Sequence, residues 1–375
     1  MALVLYRKYR PKTFSEIVGQ EHVVETLKNA ILSERVGHAY LFYGPKGTGK
    51  TTIARLLAKA VNCYKVQSSS PPKTYEPCNQ CVSCVEINES RSMDLIEIDA
   101  ASNRGIDEIR NLKEGINLVP SKSKYKVYII DECHELTREA SNALLKTLEE
   151  PPPHVIFVLC TTEYDKVLPT IASRCQRFQF KKLSLAQIVK RLSYLCEKEN
   201  VKAEKPALEL IARSAEGSIR DAESLLNEMI NLEDEVITTE EVKALLGIVG
   251  TEPIMKILEL MIKKDKKEAI NFLLELFEKG MSPDSFCKKI IEYLSNLLLV
   301  KISPQLIEEK FTEEEKEALK KQGQDLSIVQ LKEIIKIFLE AQNQIRWSEN
   351  SQIPLELAVV EAIDKIKILE KQGKK

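Results

Sequence analysis

The chain has 375 residues, 43% of them apolar and 30% charged, with a formal net charge of −1. This is an ordinary balance for a globular protein with packed cores, and the length predicts two or three domains. Near-neutral charge excludes bulk electrostatics as a basis for nucleic-acid contact, which would have to come from a local basic patch.

The first residues, "MALVLYRKYRPKTF", carry charges where a secretory leader needs an uninterrupted apolar core. No run approaches the roughly 18 apolar residues of a membrane span. The expected compartment is therefore the cytoplasm, without membrane attachment. The nine cysteines are expected to be mostly reduced there. Residues 1–180 alternate short apolar β-like runs with amphipathic helical stretches, which implies a parallel sheet covered on both faces. The strand-like runs are "AYLFYG" (39–44), "DLIEID" (94–99), "KVYIID" (126–131) and "VIFVLCT" (155–161).

The first run leads into "GPKGTGKT", which comprises Gly44, Pro45, Lys46, Gly47, Thr48, Gly49, Lys50 and Thr51 and opens the helical stretch "KTTIARLLAKAV". Strand, glycine-rich loop and helix are the context that the G-x-x-x-x-G-K-[ST] pattern requires. Glycines let backbone N–H groups turn toward a polyphosphate at the positive end of a helix. Lys50 would reach the β- and γ-phosphates, and the Thr51 hydroxyl would ligate Mg²⁺. A chance glycine-rich turn is the competing reading, and both flanks speak against it.

Past this helix lies an insertion, about 62–88, rich in Ser and Pro and poor in apolar residues. It holds Cys63, Cys78, Cys81 and Cys84, spaced C-x14-C-x2-C-x2-C. Two C-x2-C turns and a distant thiolate can close a tetrahedral Cys₄ zinc site, which with no open position would be structural. The metal would supply the core that the insertion lacks. Disulfides, disfavoured by compartment, and an iron–sulfur cluster are the alternatives. Cys133, Cys160, Cys175, Cys196 and Cys287 are scattered and read as small buried hydrophobes.

In "VYIIDECHEL" (127–136) a hydrophobic strand ends in acids. Asp131 falls at its carboxyl end, where it can help hold Mg²⁺, and Glu132 can orient or deprotonate an attacking water. A pair of surface acids is the competing reading. Nucleotide hydrolysis, with ATP as the default, follows from the two motifs together. A helix in "SNALLKTLEE" (141–150) is halted by the prolines at 151–153. The next strand ends in Thr161 and Thr162, hydroxyls placed either to contact the γ-phosphate or the water, or to cap the next turn. In "LPTIASRCQRF" (168–178), Arg174 stands at a helix end, where the dipole favours a cation.

Residues from about 181 to 246 read as three or so helices. In "GSIRDAE" Ser218 is a candidate N-cap, which puts Arg220 in a first helical turn. A cation there is disfavoured by the dipole and calls for a partner; a salt bridge to Asp221 or Glu223 would be one. From about 251 the pattern is helical throughout, either a self-contained domain or a packing surface for other subunits. The end, "EKQGKK", reads as unstructured.

Taken in order, "YRKYRPKTFSEIVGQEHVVETLKNAI", "HAYLFYGPKGTGKTTIARLLAKAVNC", "NALLKTLEEPP", "LPTIASRC" and "EGSIRDAESLL" resemble the AAA+ ATPases, and more narrowly the gamma/tau family of the bacterial DNA polymerase III clamp loader. "QIRWSENSQIPLELAVVEA" (344–362) extends the likeness more weakly. The resemblance implies an AAA+ α/β P-loop domain (1–180) with a zinc module. A helical lid (181–246), an all-α oligomerising collar (247–368) and a flexible tail (369–375) would follow. It makes Arg174 an arginine finger acting in trans on a neighbour's ATP, and Arg220 a sensor that reaches the same subunit's ATP. It packs the "RKYRP" and "VGQ" segments around adenine and ribose; of the two strand-end hydroxyls, Thr162 is the one counted with the ATP contacts. The implied function is an ATP-driven motor subunit that opens the beta sliding clamp and places it on primer–template DNA. The polymerase chemistry belongs to other chains of the holoenzyme. Implied partners are further copies of itself, delta and delta-prime subunits, and the polymerase III core through a longer form. A local basic surface should meet DNA; Arg104, Arg110 and Lys113 in "ASNRGIDEIRNLKEG" either face phosphates or belong to a solvated helix with paired charges. A non-hydrolysing delta-prime-like scaffold and another AAA+ DNA-processing motor are the alternative functions.

Overall fold

The computed structural model describes residues 4–102, 115–116, 118–232, 236–246, 251–278, 280–302, 323, 325–348 and 350–372. Two compact units emerge, residues 1–242 and 243–375.

The first unit is organised by five parallel strands: β1 (Ala39–Tyr43), β2 (Leu95–Asp99), β3 (Lys126–Asp131), β4 (Val155–Thr161) and β5 (Gln176–Gln179). Their order in the sheet is β2-β3-β4-β1-β5, with Leu41 opposite Leu159 and Ile98 opposite Ile130. Side chains alternate across a strand, and here both faces are buried. Tyr40, Phe42, Val127, Ile129, Ile156 and Val158 pack with the helices Glu21–Leu32 and Lys50–Asn62. Leu41, Tyr128, Ile130, Phe157 and Leu159 pack with Leu144 and Leu148 of the helix Arg138–Glu149. This accounts for the near-continuous apolar runs in the sequence. Strand β5, "QRFQ", had no such signal: it lies at the sheet edge with three of its four residues exposed.

The helix Arg138–Glu149 starts at an N-cap, Thr137, whose side chain accepts from the Ala140 N–H, and it stops before the proline run. Three further helices, Leu185–Glu199, Lys205–Ser214 and Ile219–Leu232, follow the sheet. Two short paired strands, Lys202–Ala203 after the first of these helices and Val236–Ile237 after the last, stand where only helices were expected. The first helix carries a complete capping box, Ser184 with Gln187, which fixes its start.

The second unit contains the helices Thr251–Lys263, Lys266–Glu278, Pro283–Ile302, Ile328–Ile345 and Gln352–Gln372 around one core that includes Leu258, Phe286, Ile290, Phe338 and Val359. The flexible tail expected from 369 is corrected here: the last helix continues to Gln372. Its Lys371 lies in the final turn, where the helix dipole favours a cation. Among the described residues no helix is long and apolar enough to cross a membrane. Arg104, Arg110 and Lys113 lie outside the described residues.

Candidate functional site

The loop after β1 depends on glycine. Gly47 and Gly49 have φ of +72° and +99°, backbone that L side chains rarely adopt. A Cβ on Gly47 would also stand 1.9 Å from Ser218 Oγ, because the loop closes against the start of the helix Ile219–Leu232. There the Ile219 N–H donates to the Gly47 carbonyl at 3.1 Å. Lys50, only 6% exposed, folds back to donate to the carbonyls of Gly44 (2.8 Å) and Pro45 (2.9 Å). Burial pulls its ammonium below the ordinary lysine value, and Glu132 opposes that pull.

Next along the helix, the Thr51 hydroxyl donates to Asp131 Oδ2 at 2.8 Å, joining the loop to the end of β3. A hydroxyl and a carboxylate held together are hard oxygen donors of the kind Mg²⁺ takes. Glu132 has left-handed backbone, φ 46°, uncommon outside glycine. Its Oε2 accepts from both the N–H (2.9 Å) and the hydroxyl (2.8 Å) of Thr162. The His134 side chain, 4% exposed, stands behind, with Nδ1 2.9 Å from Thr161 Oγ1 and 3.4 Å from Glu132 Oε2.

Lys46, Gly47, Thr48, Gly49, Lys50, Thr51, Asp131, Glu132 and Arg220 line one cleft. Gly44 and Pro45 reach it through Lys50, and Thr162 through Glu132. The "RKYRP" arm forms a further wall with Tyr6, Arg10 and Pro11, continued by Glu16, Ile17 and Val18.

Arg220 does not take the ion pairs open to it in sequence. Asp221 lies 3.5 Å from Lys46, and Glu223 pairs with Arg191 at 2.8 Å. The Arg220 guanidinium instead sits 4.8 Å from the Tyr6 ring centroid and, through a hydrogen bond, pulls the Tyr6 hydroxyl below the usual phenol range. Ser218 accepts from the Asp221 N–H at 3.2 Å and so caps the helix.

Sequence reading missed Tyr6 and Arg191, and it offered Glu223 only as a partner for Arg220. Arg191 did leave a signal, since it lies on the buried face of its helix with Ile188, Leu192 and Leu195; an arginine in that row asks for a buried partner. Glu223 supplies it, and the Arg191 Nη2 also donates to the Tyr9 carbonyl at 2.7 Å. Burial raises the Glu223 carboxyl, an effect Arg191 opposes. Arg191→Ala should strand that carboxylate and lower the unfolding free energy by about 3–5 kcal/mol. Chemical denaturation of both proteins at pH 7 checks it.

Arg174 is elsewhere. Its Nη1 donates to the Thr170 carbonyl at 2.7 Å, and it pairs with Glu149. It borders a depression with His38, Ala39 and Gln176. Ala39 and Gln176 begin β1 and β5, so this is the end of the sheet opposite the phosphate loop.

The four clustered cysteines come together, with their sulfurs within 4.8 Å of one another. Zn–S bonds of about 2.3 Å place the sulfurs of a tetrahedral site roughly 3.8 Å apart, so the set fits the ion. Backbone N–H groups of Cys78 and Cys81 point at Cys63 Sγ and Cys78 Sγ, both at 3.3 Å, which suits thiolate charge. The Cys84 thiol, hydrogen-bonded to Cys63, pulls Cys63 well below the usual thiol range. Of the scattered cysteines, Cys133, Cys160, Cys196 and Cys287 are buried as expected, whereas Cys175 is only partly covered.

Three family profiles match consecutive parts of the chain. "DNA polymerase III, delta subunit" covers residues 19–184, "DNA polymerase III clamp loader subunit, ATPase lid domain" covers 187–234, and "DNA polymerase III subunits gamma and tau domain III" covers 237–374. The chain is 42% identical over 358 residues to the DNA polymerase III subunit tau of Bacillus subtilis, which spans 95% of this chain and 62% of that one. Identity to the tau subunit of Escherichia coli is also 42%, over 80% of this chain and 46% of that one. Against the gamma subunit of Buchnera aphidicola from Acyrthosiphon pisum it is 36%, over 97% of this chain and 99% of that one. The chain thus spans less than two thirds of the two tau subunits and nearly all of this gamma subunit.

Proposed function

The chain belongs to the family of DNA polymerase III gamma and tau subunits of the clamp loader, and on that premise we propose that it binds and hydrolyses ATP to open a sliding clamp and set it on primed DNA. The single observation that carries the reading is the cleft in which a phosphate loop, the Thr51–Asp131 pair, Glu132 and Arg220 converge.

Backbone N–H groups of residues 46–50 and the Lys50 ammonium hold the β- and γ-phosphates. Thr51 and Asp131 would hold Mg²⁺, which when bound would neutralise charge developing on the phosphates. Glu132, fixed by Thr162, takes the proton of the attacking water. Arg220 contacts the same chain's phosphates from the lid, so loss of the γ-phosphate changes how lid and loop meet. Arg174, at the far end of the sheet, completes the cleft of an adjoining subunit. Cys63, Cys78, Cys81 and Cys84 would hold zinc in a structural role. Residues 1–180 form the nucleotide domain, 181–246 the lid and 247–368 the collar. Partners are further copies and delta- and delta-prime-type subunits, the beta clamp, primer–template DNA and, through a longer form, the polymerase core. The work is done in the cytoplasm.

Clamp loading on primed circular DNA, with purified partner subunits, tests the reading. The wild-type chain should load clamp only with ATP. Lys50→Ala should bind ATP at least about tenfold more weakly, the loss of a hydrogen bond to charged oxygen, and should load none. ATP-dependent loading that survives Lys50→Ala would overturn the assignment.

A further inference from the structure

The cysteine insertion reaches beyond its own sulfurs. Glu76, just before Cys78, accepts from two consecutive amides, Phe14 N–H at Oε2 (2.8 Å) and Ser15 N–H at Oε1 (2.9 Å). Beside it the Tyr75 ring lies 6.1 Å from that of Phe14, which is buried at 2% exposure. These amides open the turn Phe14–Glu16. Glu16, Ile17 and Val18 then line the cleft.

A second tie comes through Lys59, on the helix that starts at Lys50 and itself 2% exposed. Its ammonium donates to the Lys12 carbonyl (2.9 Å) and Asn88 Oδ1 (2.8 Å), and to Asn79 Oδ1 within the Cys78–Cys81 turn. A buried ammonium is tolerated only when hydrogen-bonded, so Lys12, the cysteine turn and the phosphate-loop helix are fixed relative to one another. The amides at the start of a helical turn likewise need acceptors, and a single carboxylate from the insertion serves both, through charge-assisted bonds.

We propose that the four-cysteine insertion is a buttress of the nucleotide cleft: Glu76 and Asn79 are positioning residues that hold the arm of residues 12–18 in place, and with it the wall formed by Glu16, Ile17 and Val18, so nucleotide affinity depends on an intact cysteine cluster. The idea rests on the ATP reading above. It places the effect on the arm, because among the described residues the hydrogen bonds of the Glu76 carboxylate go to Phe14 and Ser15.

The test uses the full chain, a fluorescent N-methylanthraniloyl ATP as probe, inorganic tripolyphosphate as competitor, and zinc content from dye-monitored release. Glu76→Gln keeps the shape but turns one acceptor into a donor that faces an N–H. It should retain wild-type zinc, bind the probe about tenfold more weakly, and bind tripolyphosphate within about twofold of wild type. Asn79→Ala should act in the same direction. Chelating zinc from the wild type should reproduce the loss and add little to Glu76→Gln. Wild-type probe affinity in Glu76→Gln, or an equal loss for tripolyphosphate, overturns the buttress and leaves the ATP assignment standing. A wild-type chain that binds neither probe nor tripolyphosphate removes the ATP assignment itself.

Discussion

Arg174→Ala lowers ATP turnover of the assembled complex by about 10³ or more, the scale of a lost arginine finger, while nucleotide affinity of the isolated chain stays unchanged. Geometry separates the two effects. Arg174 is absent from the lining of its own chain's cleft and sits at the opposite end of the sheet, so its removal cannot disturb binding there. In this chain it pairs with Glu149, and its side chain is one-third exposed. Such a pair contributes about 1 kcal/mol at most, which makes its exchange for a neighbour's phosphate inexpensive. Lysine at this position should rescue little, because an ammonium lacks the planar fork that grips two oxygens. The measurement is steady-state hydrolysis with partner subunits, clamp and primed DNA, beside a binding titration of the chain alone. Turnover that survives the substitution in the full assembly would return Arg174 to the plain role of a helix-end cation.

Much of this site is legible in the sequence. The phosphate loop, Asp131 and Glu132 combine short motifs with apolar strands, and the sheet brings them into one cleft because parallel strands all end on one side. The four cysteines were legible for a similar reason: the spacing is local and the chemistry admits few partners. What sequence withheld depends on contacts between distant segments. Strand β5 is polar because it occupies an edge, so no periodicity announces it. Arg220 called for a partner, and no local rule could have named Tyr6, which comes from the opposite end of the unit. Glu76 gave no sign at all: only the folded arm shows one carboxylate closing two amides sixty-odd residues away.

Glu132→Gln carries the second large effect, a fall in turnover of about 10²–10⁴ with ATP affinity close to wild type. The change leaves shape and size alone. Oxygen Oε1 of the new amide can still accept from the Thr162 N–H and hydroxyl that now bond Glu132 Oε2 at 2.9 and 2.8 Å, so the side chain keeps its place. It loses only the capacity to take a proton. Lys50→Ala differs in kind, since it removes a phosphate contact and should weaken binding together with turnover. The two variants therefore split affinity from chemistry. A Glu132→Gln assembly should hold ATP and the opened clamp but close it slowly, as clamp retained on primed DNA together with the loader would report. If Glu132→Gln hydrolyses at the wild-type rate, the general base must be sought elsewhere. If it loses ATP affinity as well, Glu132 was helping to hold the loop and not the water. The left-handed backbone at this residue argues for the role toward water: conformations that cost stability persist where the surrounding fold compels them, and here they turn a carboxylate into the cleft beside Asp131.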